Sequence, residues 1–193
     1  YINRQRKIYE LLSEPSVTKD GVEILLKANV GQLGDVEQAV KNNSYGVGLY
    51  RTEFAYLTRR TFPTENELYE SYSEAAAKLK GKPMVIRTID LGGDKISHLT
   101  GNNIEQNPEL GCRAIRISLE CRELFVTQLR AILRTAASSS SNQISILFPM
   151  ISSMEELLEA KRILAEIKEQ MIKEGVSVPE KLRIGMMVEV PSV

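Results

Sequence analysis

Apolar residues along this chain follow two rhythms. Short runs rich in β-branched residues alternate with longer stretches in which apolar positions recur every three or four residues. The short runs predict five strands, at Val22–Val30, Gly46–Thr52, Met84–Asp90, Ile144–Met150 and Arg183–Val190. Between the first two, Asp35 reads as the N-cap of a short helix, DVEQAVKN. Pro63 precedes Thr64-Glu65-Asn66-Glu67, a capping box that opens a helix stopped at Gly81. A polar loop from Leu91 to about Leu110 leads into one helix carrying Ile117, Leu124, Leu129, Ile132 and Leu133. Ser138–Gln143 is a polar connector. A second capping box, Ser153-Met154-Glu155-Glu156, starts a helix with Leu157, Leu158, Ile163, Leu164, Ile167 and Met171 on one stripe, ending near Gly175.

This βαβα alternation predicts an α/β fold built on a parallel sheet. Strands two to five are apolar on both faces, as helices on one side and a core on the other require. An open doubly wound sheet and a (β/α)8 TIM-type barrel both satisfy the pattern. The strand ends favour the barrel. Arg51, Arg87 and Glu189 each follow an apolar run, and barrel enzymes recruit functional groups from the C-terminal ends of several strands. Five strands would be a truncated barrel, with about three more expected beyond Val193. Residues 1–21 read as an amphipathic helical lead-in and 22–193 as the partial barrel domain, and both ends look cut from something longer.

Composition narrows the function. Twenty-five acidic residues balance twenty-five basic ones, which argues against a nucleic-acid or membrane-surface binder. No apolar run approaches the roughly 20 residues that span a bilayer. Two cysteines, Cys112 and Cys121, make no disulfide framework, so a reducing cytoplasm is the expected compartment. With His98 the single histidine, no Cys/His zinc cluster exists.

The candidate chemistry is anionic. Arg51 and Arg87 close adjacent strands, and paired guanidinium groups suit a multiply charged ligand rich in oxygen. Arg113, where a loop enters a helix, is a third candidate. Against this stands simple pairing of each arginine with Glu53, Asp90 or Glu109. Glu189 could hold a divalent ion, with Mg²⁺ the usual choice beside phosphate, or could pair with an arginine. Leu91-Gly-Gly-Asp-Lys95 could present backbone N–H groups to an anion or be an ordinary turn. Met186 and Met187 read as core.

GVGLYRTEFAYL with PTENELYESY, MVIRTIDLGGDK, EQNPELGCRAIR, ISILFPMISSMEE and IGMMVEVPS occur in that order over nearly the whole chain. In this the sequence resembles the enzyme I family of the bacterial phosphotransferase system, whose kin include pyruvate phosphate dikinase and phosphoenolpyruvate synthase. The resemblance implies the first part of a phosphoenolpyruvate-binding barrel. Arg51 and Arg87 match the family's phosphoenolpyruvate-binding arginines, Arg113 a further active-site arginine, and Glu189 one of two carboxylate ligands of magnesium. It also implies a phosphoryl acceptor histidine on a separate N-terminal domain, onward transfer to the carrier HPr, and a homodimer formed through the barrel. Neither cysteine matches the family's proton donor, and His98 is not in a phosphohistidine context. No catalytic residue is therefore expected within this chain, which is not expected to turn over alone. Thr58-Arg59-Arg60 departs from the family's acidic pattern there. A dikinase or synthase relative and a non-catalytic dimerisation module are the competing readings.

Overall fold

The computed structural model describes residues 14–57, 61–92, 111–140 and 143–192. Five parallel strands form one sheet: β1 (Ala28–Val30), β2 (Val47–Tyr50), β3 (Met84–Arg87), β4 (Ile144–Phe148) and β5 (Arg183–Met186). Each strand pairs with the next in sequence. The order therefore runs without the reversal that creates the switch point of a doubly wound sheet. The connecting helices are α1 (Leu33–Lys41), α2 (Phe54–Leu57), α3 (Glu65–Lys78), α4 (Ile115–Glu120), α5 (Arg122–Ser138) and α6 (Met154–Lys173).

The pleat sorts the strand residues onto two faces. Met84, Ile86, Ile144, Ile146 and Phe148 are buried, whereas Val85, Arg87, Ser145 and Leu147 between them are half-buried. The buried face meets the helical layer, where Phe125 of α5 packs edge-on against Phe148, ring centroids 6.0 Å apart. Tyr50 meets Tyr72 of α3 in the same manner at 5.9 Å. Close packing also explains Gly46, which enters β2. A Cβ there would lie 2.4 Å from the Pro83 carbonyl oxygen, so no larger residue fits.

Both Ser/Thr capping boxes form. Thr64 Oγ1 accepts from Glu67 N–H while Glu67 Oε2 accepts from Thr64 N–H, and Ser153 and Glu156 repeat the exchange. The third cap corrects the expectation. Gln32, not Asp35, is the N-cap of α1, and Asp35 is its third residue, whose carboxylate accepts from the N–H groups of Gly31 and Gln32. An acidic residue serves a helix start from either position, so sequence alone confuses the two.

Other boundaries also move. Only Ala28–Val30 of the expected first strand joins the sheet; Val22, Ile24, Leu25 and Leu26 are exposed, and Glu23 bridges back to Val17. Residues 14–21 of the expected helical lead-in are turn and extended backbone, and 1–13 lie outside the described residues. The helix expected across Ile117–Leu133 breaks at Cys121, which has non-helical backbone and caps α4 and α5 at once. Either side of the break, α4 packs on α6 while α5 runs mainly along α3 and also touches α6. In β5, Ile184 and Met186 are exposed, since no element covers that edge strand among the described residues.

A charged lattice ties the helices together. Glu65 of α3 accepts from Arg130 and Arg134 of α5, and Arg130 also reaches Glu174 beyond α6. Partial burial alone would raise the Glu65 pKa, but hydrogen bonds from Arg130 and Arg134 outweigh it and hold the carboxyl below its ordinary value. A depressed pKa contributes stability above the unfolded value, lost as pH falls through the folded one. Glu65→Gln should therefore flatten the acid limb of the stability profile below about pH 4.5, read as urea midpoints across pH. Phe125→Ala, which empties the Phe148 contact in a fully buried site, should cost about 3–5 kcal/mol by urea unfolding.

Candidate anion site at the C-terminal edge of the sheet

Parallel pairing places all strand ends on one edge, and the charges gather there. Arg87 is the last residue of β3, paired with Leu147 of β4, while Phe148 pairs with Met186 of β5. Arg51 follows β2 directly. Beyond β3 the chain turns, and Gly92 bridges Arg113 on the way into α4.

Four side chains form a continuous chain of alternating charge. Arg87 Nη2 donates to Glu53 Oε1 at 2.9 Å. Arg87 Nη1 lies 2.9 Å from Asp90 Oδ2. The other Asp90 oxygen accepts from Arg113 Nη2 at 2.9 Å and Nε at 3.2 Å. The side chains of Arg87, Asp90 and Arg113 are only 11%, 7% and 18% exposed, so these pairs lie where water screens them weakly. The pairing that the sequence left open for Arg87 and Arg113 is thus present, and it orients both guanidinium groups. Arg87 Nε is buried with no acceptor among the described residues.

The remaining candidates stand beside this cluster. The Arg51 side chain is exposed and lies over Gly31, where an added Cβ would be 3.4 Å from Nη2. Among the described residues no carboxylate lies within ion-pair distance of it. Glu189 is exposed, and its Oε1 accepts from Met150 N–H at 2.7 Å. Arg51 and Glu189 therefore share the edge with Arg87 and Arg113 but make no hydrogen bond to that pair among the described residues. Met187 is not simple core, since its Sδ sits 3.6 Å from Arg87 Nη1. Ala114, after Arg113, and Met150 both adopt positive φ, at 54° and 55°. Such strain persists only where the surroundings over-determine it.

Glu189 alone is a thin metal site. No group of three His, Cys, Asp or Glu side chains gathers among the described residues. One oriented carboxylate still fits Mg²⁺, which takes one or two carboxylates and completes its shell with water and substrate oxygens. His98 and Asp94-Lys95 of the glycine turn lie outside the described residues, as do Thr58–Arg60 and Glu109.

Comparison with known proteins decides the family. Residues 5–193 match the model of the PEP-utilising enzyme family, PEP-binding domain. The chain belongs to this PEP-utilising enzyme family. It is 44% identical over 192 residues to the phosphoenolpyruvate-protein phosphotransferase of Bacillus subtilis (strain 168), covering 100% of this chain and 33% of that protein. The protein of the same name from Geobacillus stearothermophilus is 45% identical over 183 residues, 95% of this chain and 31% of its own length. That from Mycoplasma capricolum is 40% identical over 192 residues, 100% of this chain and 33% of its own length. The chain thus spans about a third of the curated relatives it matches.

Sequence reasoning missed two members of this PEP-binding domain's strand-end assembly, Thr52 and Gln128. Thr52 Oγ1 donates to the Arg87 carbonyl at 3.0 Å and accepts from Gln128 Nε2 at 3.1 Å. A signal existed. Gln128 falls four residues after Leu124 and four before Ile132, a polar residue in the apolar stripe of α5.

Asp90 is the hinge of the ion-pair chain. Asp90→Ala leaves two nearly buried guanidinium groups short of a partner and should cost about 3 kcal/mol by urea unfolding. Asp90→Asn, which keeps an acceptor oxygen, should fall between Ala and wild type.

Proposed function

We propose that this chain is the phosphoenolpyruvate-binding part of a phosphoenolpyruvate-protein phosphotransferase. The supporting observation is the Glu53–Arg87–Asp90–Arg113 chain at the C-terminal edge of a parallel sheet, in a chain of the PEP-binding family. The unreversed strand order supports reading the sheet as an arc of a (β/α)8 barrel, whose functional groups gather at this edge.

Phosphoenolpyruvate carries a phosphate and a carboxylate, so its pocket needs several fixed donors. Arg87 and Arg113, held by Glu53 and Asp90, and the solvent-facing Arg51 are assigned to those oxygens. Fixed guanidinium groups need no reorganisation as charge develops on the transferring phosphoryl group and the departing enolate. Glu189, oriented by Met150 N–H, would be one protein ligand of Mg²⁺. When bound, that ion supplies Lewis-acid stabilisation of the substrate oxygens. The acceptor histidine, HPr as the next carrier, sugar transport as the pathway, a homodimer and a cytoplasmic location follow from the family resemblance and belong to the same proposal. They assign this chain binding rather than turnover.

Calorimetry with phosphoenolpyruvate and Mg²⁺ tests the reading. Binding heat is expected, and Arg87→Ala should weaken it about 10- to 100-fold, the loss of one or two charge-assisted hydrogen bonds. Self-association with no ligand heat in the wild type would replace the substrate pocket with a scaffold role.

A further inference from the structure

Gln128 is fully buried, and its amide is engaged on every side that faces the strand ends. Oε1 accepts from Ile89 N–H at 2.9 Å. Nε2 donates to Thr52 Oγ1 at 3.1 Å and to the Tyr72 hydroxyl at 3.2 Å. The Thr52 proton is committed to the Arg87 carbonyl. The amide can therefore sit only one way round. Reversed, Nε2 would face the Ile89 N–H, and Oε1 would face a hydroxyl whose proton is already given away.

The place of these contacts matters more than their number. The last pairing of β2 with β3 is Tyr50 with Ile86, so beyond it no sheet ladder holds the two chains together. The charged residues lie in the segments that follow. Thr52 sits between Arg51 and Glu53, and Ile89 directly precedes Asp90. There the Thr52–Arg87 hydrogen bond and the Glu53–Arg87 pair link the segments directly, and one helix-borne amide ties Thr52 to Ile89 from behind.

We propose that Gln128 is a positioning residue: through Thr52 and Ile89 it sets the spacing between the Arg51–Glu53 and Arg87–Asp90 segments, and so between the guanidinium groups. This inference rests on the reading of those arginines as a phosphoenolpyruvate site. Gln128 itself touches no ligand. Its effect comes from geometry, since small displacements of groups that must meet one ligand together weaken all their bonds at once.

Gln143 supplies a control remote from the site. It too is a buried amide, donating from Nε2 to the Ala76 carbonyl at 2.9 Å, but it precedes β4 at the opposite edge of the sheet. Gln128→Met removes three buried side-chain hydrogen bonds and Gln143→Met removes one, and only the first lies behind the arginines. The experiment uses the complete polypeptide that carries this chain, labelled with ¹⁵N.

Without ligand, Gln128→Met should speed exchange of the Ile89 amide and shift the Arg87 Nε resonance, with Thr52→Val shifting the same resonance. Gln143→Met should leave both signals in place while lowering the unfolding midpoint, by less than Gln128→Met does. With phosphoenolpyruvate and Mg²⁺, Gln128→Met should weaken binding about 10-fold and Gln143→Met by less than about twofold. Unmoved Ile89 and Arg87 signals in Gln128→Met overturn the inference whatever the ligand does. Moved signals with unchanged affinity also overturn it. A wild type that binds no phosphoenolpyruvate, with the signals still responding to Gln128→Met, supports the positioning role and overturns the proposed ligand instead.

Discussion

Parallel pairing imposes a direction on everything else in this structure. Once five strands run the same way, each must deliver its last residues to the same edge, and each return path must cross the other face in a helix. Charged residues at the ends of separate apolar runs, far apart in sequence, become neighbours with no further instruction. Glu53 and Arg87 are 34 positions apart and form a 2.9 Å pair.

Gathering charge at one edge has a cost, because groups taken partly out of water lose hydration. The alternation of sign along Glu53, Arg87, Asp90 and Arg113 offsets it. Each guanidinium meets a carboxylate, and Asp90 serves two of them with its two oxygens. Coulomb attraction in this poorly hydrated setting is stronger than at an open surface, and the four formal charges sum to zero. Three ion pairs fix the direction of both guanidinium groups. Arg51 differs. It stays exposed over Gly31, outside the ion-pair chain that fixes Arg87 and Arg113.

The scaffold behind the edge is mostly apolar, with a few buried polar side chains. Where the β2–β3 ladder ends, Thr52 and Gln128 take over its hydrogen bonds within an otherwise apolar layer. At the outer surface, Arg130 and Arg134 converge on Glu65 and bind α3 to α5. The Thr52–Gln128 set is satisfied, whereas the buried hydroxyls of Tyr56 and Thr88 have no partner among the described residues.

Much of the frame was legible from local pattern. Strand and helix order, both Ser/Thr capping boxes and the charged strand ends follow from periodicity and from side chains within four residues of each other, since such interactions need no knowledge of the fold. Boundaries set by distant contacts were not legible. Val22–Leu26 has the composition of a strand but stays outside the sheet, Cys121 breaks a helix so that α4 meets α6 while α5 meets both α3 and α6, and Met187 meets an arginine 100 positions away. The sequence by itself determined which groups stand at the ends of strands, because direction and period are local properties. Only the tertiary structure decided which of them touch: Arg87 and Arg113 share Asp90, while Arg51 and Glu189 stand apart, because side-chain pairing depends on where the chain turns after each strand.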